Sequence, residues 1–171
     1  IAARAAAAPR RKGEPEMGAK PCFERPGWDA YFMDIARVVA RRGNCRRRQV
    51  AAVIVRDRRI ISTGYNGTPR GIPNCFEGGC PRCASEAASG ENLGECICAH
   101  AVENAIVHAA YHGISVSGGT LYCTMSPCLM CAKMIINAGL AAVVYAEEYH
   151  FSAQSRELLA TAGVACRRLD Q

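Results

Sequence analysis

The sequence contains no long apolar run, no internal repeat and too few residues for several domains. None of its segments reaches the roughly 18 consecutive apolar residues that a membrane-spanning helix requires, so no membrane partner is expected. Half of the 171 residues are apolar and 21% are charged, which excludes a coiled coil or a disordered chain for most of the length. The composition therefore predicts one globular domain that buries a core of ordinary size.

The first part of the sequence also lacks the apolar segment of a secretory signal. Residues 1–24 are basic, rich in Ala and Arg and without apolar periodicity, so we expect them to be poorly ordered. Glu14, Glu16 and two prolines argue against a transit peptide, which is poor in acidic residues. These features predict a location in the reducing cytoplasm.

Short apolar segments with helical or strand periodicity alternate along the rest of the chain. Helices are predicted over residues 28–39, 99–112, 128–137 and 152–162, and strands over residues 50–55, 60–63, 119–124, 141–146 and 164–168. Residues 64–98 are rich in Gly, Pro, Asn and Cys and are expected to form mostly a long loop. Strands that alternate with helices predict an α/β sheet covered by helices on both faces.

Positive charge is concentrated in one part of the sequence. The formal net charge is +6, yet the segment from Arg41 to Arg59 contains eight arginines and one acidic residue, a local charge of +7. Such a segment favours an anionic partner such as a phosphate or a nucleic acid. The alternative is an arginine-rich surface that only contacts solvent.

Cysteine is abundant, with eleven residues, and three positions suggest a metal site. An odd number of cysteines without a secretory signal favours metal ligation over a disulfide framework. Cys128 and Cys131 stand at the start of a predicted helix, where the CxxC spacing places both thiolates beside the positive end of the helix dipole. His100 stands at the start of another predicted helix. One His and two Cys leave the fourth tetrahedral position of zinc open, as in catalytic zinc sites.

Three separate motifs carry a resemblance to a known family. They are GYNGTPR at residues 64–70, CAHA at residues 98–101 and SPCLMC at residues 126–131. Together they resemble the zinc-dependent nucleoside and nucleotide deaminases and, within them, the deoxycytidylate (dCMP) deaminase family. The resemblance implies a three-layer α/β/α cytidine deaminase-like fold with a central mixed sheet over residues 25–171. It also implies a hydrolase that deaminates dCMP to dUMP in pyrimidine nucleotide metabolism.

The same resemblance assigns a catalytic zinc to His100, Cys128 and Cys131, and it draws attention to one departure from the family pattern. Family members place a proton-carrying glutamate two residues after the zinc-binding histidine, and this position is Val102 here. Glu103 is a candidate substitute, although one helical position turns a side chain by roughly 100°. Three interpretations stay open: a helix irregularity that brings Glu103 inward, a zinc-binding pseudoenzyme, and an inactivating substitution in an ordinary enzyme.

Substrate contacts are also implied by the resemblance. Asn66, in the GYNG turn, would bond the sugar and orient the base, although asparagine beside glycine is also a common turn former. Three consecutive arginines before the first predicted strand suit the phosphate of a nucleotide. Tyr149 would close over the base, with an exposed surface tyrosine as the alternative. The candidate substrate-binding residues are Tyr65, Asn66, Arg46, Arg47, Arg48 and Tyr149.

A second group of cysteines lies in and beside the long predicted loop. The segment Cys80-Pro81-Arg82-Cys83 has zinc-knuckle spacing, and six thiols in this region exceed what core packing requires. We expect a second, structural zinc, because metal binding would order a loop that has no core of its own. Some members of the resembling family carry an extra zinc. The preferred ligands are Cys75, Cys80, Cys83 and Cys98, with Cys45 and Cys96 as alternates.

Two other functions stay open. One is deamination of tRNA or single-stranded nucleic acid, which would use the same zinc motif. The GYNGTPR motif and the cysteine-rich loop favour a mononucleotide, so a nucleic-acid partner is not expected. The other is a non-catalytic zinc module that senses nucleotides or partners an active subunit. The resemblance further implies a homo-oligomer and dCTP and dTTP as effectors.

Overall fold

Five strands form one mixed sheet at the centre of the molecule. The computed structural model describes residues 24–150 and 152–169, so the prediction for the N-terminal segment lies outside the described residues except at Glu24. The strands are β1 (Ala51–Arg56), β2 (Arg59–Tyr65), β3 (Thr120–Met125), β4 (Ala142–Glu147) and β5 (Ala165–Arg168). Their order across the sheet is β2-β1-β3-β4-β5. β1 pairs antiparallel with β2 and β3, whereas β3, β4 and β5 run parallel.

Helices cover both faces of this sheet. One face packs against α1 (Trp28–Ala40), and the other packs against α3 (Ala101–Tyr111), α4 (Leu129–Asn137) and α5 (Ala153–Thr161). The cysteine-rich segment holds the short helix α2 (Pro81–Ala84) and two 3-10 turns, Cys75–Glu77 and Leu93–Glu95. The predicted three-layer α/β/α fold is confirmed, and the predicted helix and strand boundaries lie within two residues of the observed ones.

The strands supply two cores because successive side chains of a strand point to opposite faces of the sheet. In β1, Val53 and Val55 belong to the core under α1. Ala52 and Ile54 belong to the core under α3, α4 and α5. Burial on both faces explains why this strand reads as an uninterrupted apolar run in the sequence.

The parallel half of the sheet places helix starts beside strand ends. β3 ends at Met125, and α4 begins four residues later, at Leu129. α3 packs on β2 and β1, so its first turn also lies at the edge of the second core. Within the described ranges, no helix has the length and apolar content needed to cross a bilayer.

Candidate functional site

His100 is held at the start of α3 by contacts with β2 and the segment that follows it. Gly67 and Ala99 exchange two backbone hydrogen bonds, of 3.2 and 2.8 Å, which fixes the chain immediately before His100. Gly64 in β2 allows the helix to approach, because a Cβ there would lie 2.3 Å from the Ala101 carbonyl oxygen. The start of α3 therefore sits directly on β2, with His100 in the N-cap position.

Cys128 and Cys131 are held at the start of α4 by the end of the sheet. The Ser126 N–H donates to the Glu147 carbonyl oxygen at 2.8 Å, which extends the contact between the β3 and β4 chains as far as the residue before Pro127. Cys128 then occupies the N-cap position of α4, and Cys131 lies in its first turn. The CxxC motif thus stands at a helix start, as the sequence predicts.

A buried serine on α5 supports the same segment. Ser155 is fully buried, and its hydroxyl donates to the Pro127 carbonyl oxygen at 2.7 Å and to the Ser152 carbonyl oxygen at 2.8 Å. The single hydroxyl hydrogen is shared between these two acceptors. The role of Ser155 cannot be predicted from the sequence, because a serine near a helix start does not indicate which distant carbonyl oxygen its hydroxyl will meet.

The side chains of His100, Cys128 and Cys131 converge. The His100 Nδ1 atom lies 3.4 Å from the Sγ atom of each cysteine, and all three ligand atoms lie within 4.8 Å of one another. A tetrahedral zinc with ordinary Zn–N and Zn–S bond lengths requires an N···S separation of about 3.6 Å. His100 is exposed whereas Cys131 is buried, so the trio faces solvent on one side. The geometry and the donor atoms both fit a zinc ion with an open fourth position.

The protonation of the two cysteines also suits a cation. A hydrogen bond with Cys131 lowers the pKa of Cys128 to about 4; burial opposes this shift, and a hydrogen bond with His100 supports it. The same contact with Cys128 raises the pKa of Cys131. The hydrogen bond between the two cysteines and the contact with His100 therefore favour the thiolate form of Cys128. A thiolate is the form of cysteine that ligates metals.

Val102 and Glu103 have different surroundings at the start of α3. Val102 is only 4% exposed and belongs to the core between the helices and the sheet. The Glu103 carboxylate accepts a hydrogen bond of 3.1 Å from the His100 backbone N–H, which caps the helix. α3 is an uninterrupted α-helix from Ala101 to Tyr111, with no irregularity that turns Glu103 inward. The substitute role of Glu103 stays a prediction, and it requires this cap bond to break.

The two candidate residues of the GYNG turn lie at the end of β2. The Asn66 side chain is buried; its oxygen accepts the Val50 N–H and its nitrogen donates to the Arg48 carbonyl oxygen, both at 2.9 Å. Asn66 therefore holds the segment that leads into β1. Tyr65 is exposed, and its carbonyl oxygen accepts a 2.8 Å hydrogen bond from the Asn104 side chain. A sugar contact by either residue stays a prediction.

Two of the three candidate phosphate-binding arginines bond to the cysteine-rich segment: Arg47, and Arg48 through the Ser89 hydroxyl. The Arg47 guanidinium donates to the carbonyl oxygens of Cys83, Ser85 and Ala87, so it connects the residues before β1 to the segment around α2. Arg46 is exposed. These contacts give Arg47 a structural role that the sequence does not predict, because its partners lie nearly forty residues away.

Arg48 lies beside the segment that leads into Cys128. Its Nη1 atom is 3.5 Å from the Met125 Sδ atom, and its guanidinium carbon is 5.8 Å from the ring centroid of Tyr149. The Tyr149 N–H donates to the Ser126 hydroxyl at 2.7 Å. Arg48 and Tyr149 are thus a neighbouring pair attached to the end of β3. Their contacts with a phosphate and a base stay predictions.

Six other cysteines form a second group, which we name the cysteine cluster: Cys45, Cys75, Cys80, Cys83, Cys96 and Cys98. Two sets of four satisfy the geometric requirement for metal ligands. They are Cys45, Cys75, Cys83 and Cys98, and Cys80, Cys83, Cys96 and Cys98. The four ligands preferred from the sequence do not all belong to one set, since Cys75 occurs only in the first set and Cys80 only in the second. Both alternates, Cys45 and Cys96, belong to the cluster.

The fold and the metal trio define a class of protein, and comparison with known families agrees. Residues 26–147 match the family described as the cytidine and deoxycytidylate deaminase zinc-binding region. The chain belongs to this family.

Individual relatives are deoxycytidylate deaminases. Those of Schizosaccharomyces pombe and Saccharomyces cerevisiae are each 46% identical to this chain over 144 residues; the match covers 84% of this chain but only 44% and 45% of the relatives. The chain thus spans less than half of their length. The deoxycytidylate deaminase of Mycobacterium phage D29 is 40% identical over 131 residues, which cover 74% of this chain and 99% of the phage protein.

A solved structure is also similar. The dCMP deaminase of cyanophage S-TIM5, in complex with dCMP and dUMP, is 33% identical to this chain with a TM-score of 0.71. The match covers 85% of this chain and 99% of the phage chain.

Proposed function

We propose that this chain carries the site of a zinc-dependent deoxycytidylate deaminase, which hydrolyses dCMP to dUMP and ammonia, and that Val102 limits its turnover. The observation that carries the proposal is the convergence of His100, Cys128 and Cys131 at the starts of two helices, with one side of the trio open to solvent. The similarity to deoxycytidylate deaminases over almost the full length of the phage proteins supports the choice of substrate.

Different residues of the chain are candidates for binding the metal, the phosphate and the base. Bound at this trio, zinc would supply an activated water for attack at C4 of the cytosine ring. The buried Cys131 and the thiolate of Cys128 would anchor the ion from the protein side. Arg48 is the candidate for the 5′-phosphate, because a guanidinium pairs with phosphate oxygens, and Tyr149 is the candidate for packing on the base.

Val102 leaves the proton transfers of this reaction without a carrier. The water must lose a proton, and both ring N3 and the leaving amine must gain one. An isopropyl group can do neither, and Glu103 is engaged by the His100 N–H. General acid–base catalysis is worth about 10²–10⁴ in rate, so we expect turnover to be reduced by at least this factor.

Restoring the carboxylate tests the proposal. We expect Val102→Glu to raise kcat for dCMP by about 10²-fold or more, measured by the release of ammonia and dUMP. Val102→Gln is the matched control, since it has the same size but carries no ionisable proton, and it should give no such gain. Zinc content and dCMP affinity of all variants should be measured alongside. If Val102→Glu binds zinc and dCMP yet gains no activity, the chain is not an impaired deaminase.

A second candidate function is that of a non-catalytic module which binds a deoxycytidine nucleotide. It is favoured by the same two observations, the burial of Val102 and the use of Glu103 as a helix cap. This candidate predicts that the unmodified chain binds dCMP or dCTP, detected by a ligand-induced rise in Tm, without turnover. It also predicts that Val102→Glu stays inactive.

The proposed function also includes an oligomeric state, nucleotide effectors and a further metal ion. We expect a homo-oligomer, since Val107 and Tyr111 on α3 and Met130 on α4 are all more than half exposed. Light scattering of the purified chain would measure the assembly. We further expect dCTP and dTTP as effectors, a cytoplasmic location, and at least one structural zinc in the cysteine cluster in addition to the catalytic one.

A further inference from the structure

The cysteine cluster gathers thiols from three separate parts of the chain. Cys45 follows α1, and Cys96 and Cys98 lie between the second 3-10 turn and α3. Cys75 begins the first 3-10 turn, Cys80 is the N-cap of α2, and Cys83 lies within α2. Four of the six are buried, and the other two are partly buried. None of the six forms a disulfide. The cluster therefore gathers six free thiols at one place in the fold.

The distances between sulfur atoms resemble those of a metal–thiolate site. The Sγ atoms of Cys45 and Cys83 are 3.8 Å apart, and the Cys96 Sγ lies 3.8 Å from that of Cys80 and 3.7 Å from that of Cys83. A tetrahedron with Zn–S bonds of about 2.3 Å has an edge of about 3.8 Å. A disulfide bond is far shorter, at about 2.05 Å. The sulfur atoms are thus spaced like the corners of zinc-centred tetrahedra.

The two sets of four share one pair of residues. Cys83 and Cys98 occur in both sets, Cys45 and Cys75 occur only in the first, and Cys80 and Cys96 occur only in the second. Two tetrahedra that share an edge use six corners, which is the number of thiols present. A single ion would use four thiols and leave two buried or half-buried sulfur atoms of the cluster without a metal.

We propose that the cysteine cluster binds two zinc ions as one dinuclear centre, in which the thiolates of Cys83 and Cys98 bridge the ions. Each ion then has four sulfur ligands and no open position, which is the coordination of a structural rather than a catalytic zinc. With the proposed catalytic ion, the chain holds three zinc ions. The dinuclear centre is independent of the activity proposed above.

Surrounding donors offset the charge of this centre. Six thiolates and two Zn²⁺ ions carry a net charge of −2. The Cys45 sulfur accepts hydrogen bonds from the backbone N–H groups of Arg47 and Arg48, and the Cys80 sulfur accepts them from those of Cys83 and Ile97. Such bonds favour the thiolate form and orient the ligand.

Two arginines donate hydrogen bonds to backbone carbonyl oxygens of the cysteine-rich segment. Arg82 is only 7% exposed, and its guanidinium donates to the Ala88 and Glu91 carbonyl oxygens. The Arg47 guanidinium donates to the Cys83 carbonyl oxygen at 3.2 Å. Arg47 thus holds a positive charge beside Cys83, a residue of a centre of net negative charge, which is the arrangement that electrostatics favours.

Metal counting on the full chain tests the proposal. We expect three zinc ions per chain by elemental analysis, and a Zn–Zn distance of about 3 Å in X-ray absorption spectra. Two regular edge-sharing tetrahedra with Zn–S bonds of about 2.3 Å give about 2.7 Å, and repulsion between the two cations lengthens this distance. His100→Ala should remove one ion and leave the Zn–Zn signal unchanged. Two ions per chain without a Zn–Zn signal would overturn the proposal, as would a thiol titration that finds disulfides in the cluster.

Serine substitutions separate bridging from terminal ligands. Cys83→Ser should remove both cluster ions, because each of them loses a ligand. Cys45→Ser should remove one ion and the Zn–Zn signal while the second ion stays bound. Cys166→Ser, outside the cluster, is the control and should keep all three ions. Loss of a single ion in Cys83→Ser would exclude a bridging role. The number of zinc ions in the unmodified chain decides whether the cluster is dinuclear, so the test does not depend on every variant folding.

Discussion

The two groups of metal-binding side chains differ in what holds them in place. His100, Cys128 and Cys131 stand at the starts of helices that pack on the sheet, over a core of aliphatic side chains. The cysteine cluster stands on a segment with one four-residue helix and two 3-10 turns, where the buried residues are mainly the cysteines themselves. In the first region the fold builds the site. In the second region, we expect metal binding to supply the order that the aliphatic core supplies in the first.

The same difference appears in the number of donors. The first site offers three ligand atoms and an exposed side, which leaves a position for water and substrate. The cluster offers six sulfur atoms, most of them buried, and leaves no such position. The proposed catalytic site and the proposed structural site thus differ in their donor atoms, in the number of donors and in what supports them.

Removal of zinc should cause the largest change, a loss of ordered structure that is confined to the region of the cysteine cluster. Structural zinc contributes about 10–16 kcal/mol of apparent free energy in zinc-finger peptides, so residues 73–98 should lose their order when a chelator removes the metal. Hydrogen exchange would detect this as a loss of amide protection in that segment, whereas β1, β3 and β4 stay protected. Persistent protection of the segment in the metal-free chain would show that the cluster is not what orders it.

Two glycine substitutions should separate the regions. In Gly64→Ala the new Cβ would lie 2.3 Å from backbone atoms of α3, and in Gly79→Ala it would lie 1.8 Å from the Pro73 carbonyl oxygen. We expect each to lower the free energy of unfolding by about 3 kcal/mol, measured in urea. Gly64→Ala should weaken zinc binding at the His100 site, and Gly79→Ala at the cluster.

Gly94→Ala is the matched control for both glycine variants, since nothing lies within 4 Å of its added Cβ. It should leave the free energy of unfolding and both zinc sites nearly unchanged. If Gly64→Ala and Gly79→Ala affected both metal sites equally, the two regions would not be separately supported.

Ser155→Ala should have a smaller effect that is confined to the first region. The variant leaves the Pro127 carbonyl oxygen without its buried donor, which costs about 1–3 kcal/mol of stability. Because Pro127 precedes Cys128, zinc affinity at the His100 site should fall as well. Thr161→Ala, on the exposed side of the same helix, is the control. Equal stability losses in the two variants would contradict a supporting role for Ser155.

Arg48→Gln should have the smallest effect and should be visible only with the nucleotide. We expect the Kd for dCMP to rise about tenfold, equivalent to about 1.4 kcal/mol, and that for deoxycytidine to change little. Isothermal titration with both ligands would measure the difference, with the exposed Arg42→Gln as the control. An equal loss for both ligands would remove phosphate recognition from the role of Arg48.

Much of the fold and of the first site could be predicted from the sequence. Apolar periodicity located the helices and strands, because it depends on side chains only a few residues apart. The CxxC spacing located Cys128 and Cys131 at a helix start for the same reason. The contacts of Asn66 and Arg47 could not be predicted, since their partners are backbone groups that only the folded chain brings near them.

The order of amino acids by itself determined the type and position of the five strands and the four long helices, the candidate donors of the first metal site, and the presence of valine at position 102 where the family has glutamate. These properties depend on neighbours along the chain. Only the tertiary structure decided which cysteines meet: Cys45 lies 3.8 Å from Cys83, which is 38 residues away, and Cys83 and Cys98 stand in both sets of ligands. Distances across a loop follow from packing, which no local pattern encodes.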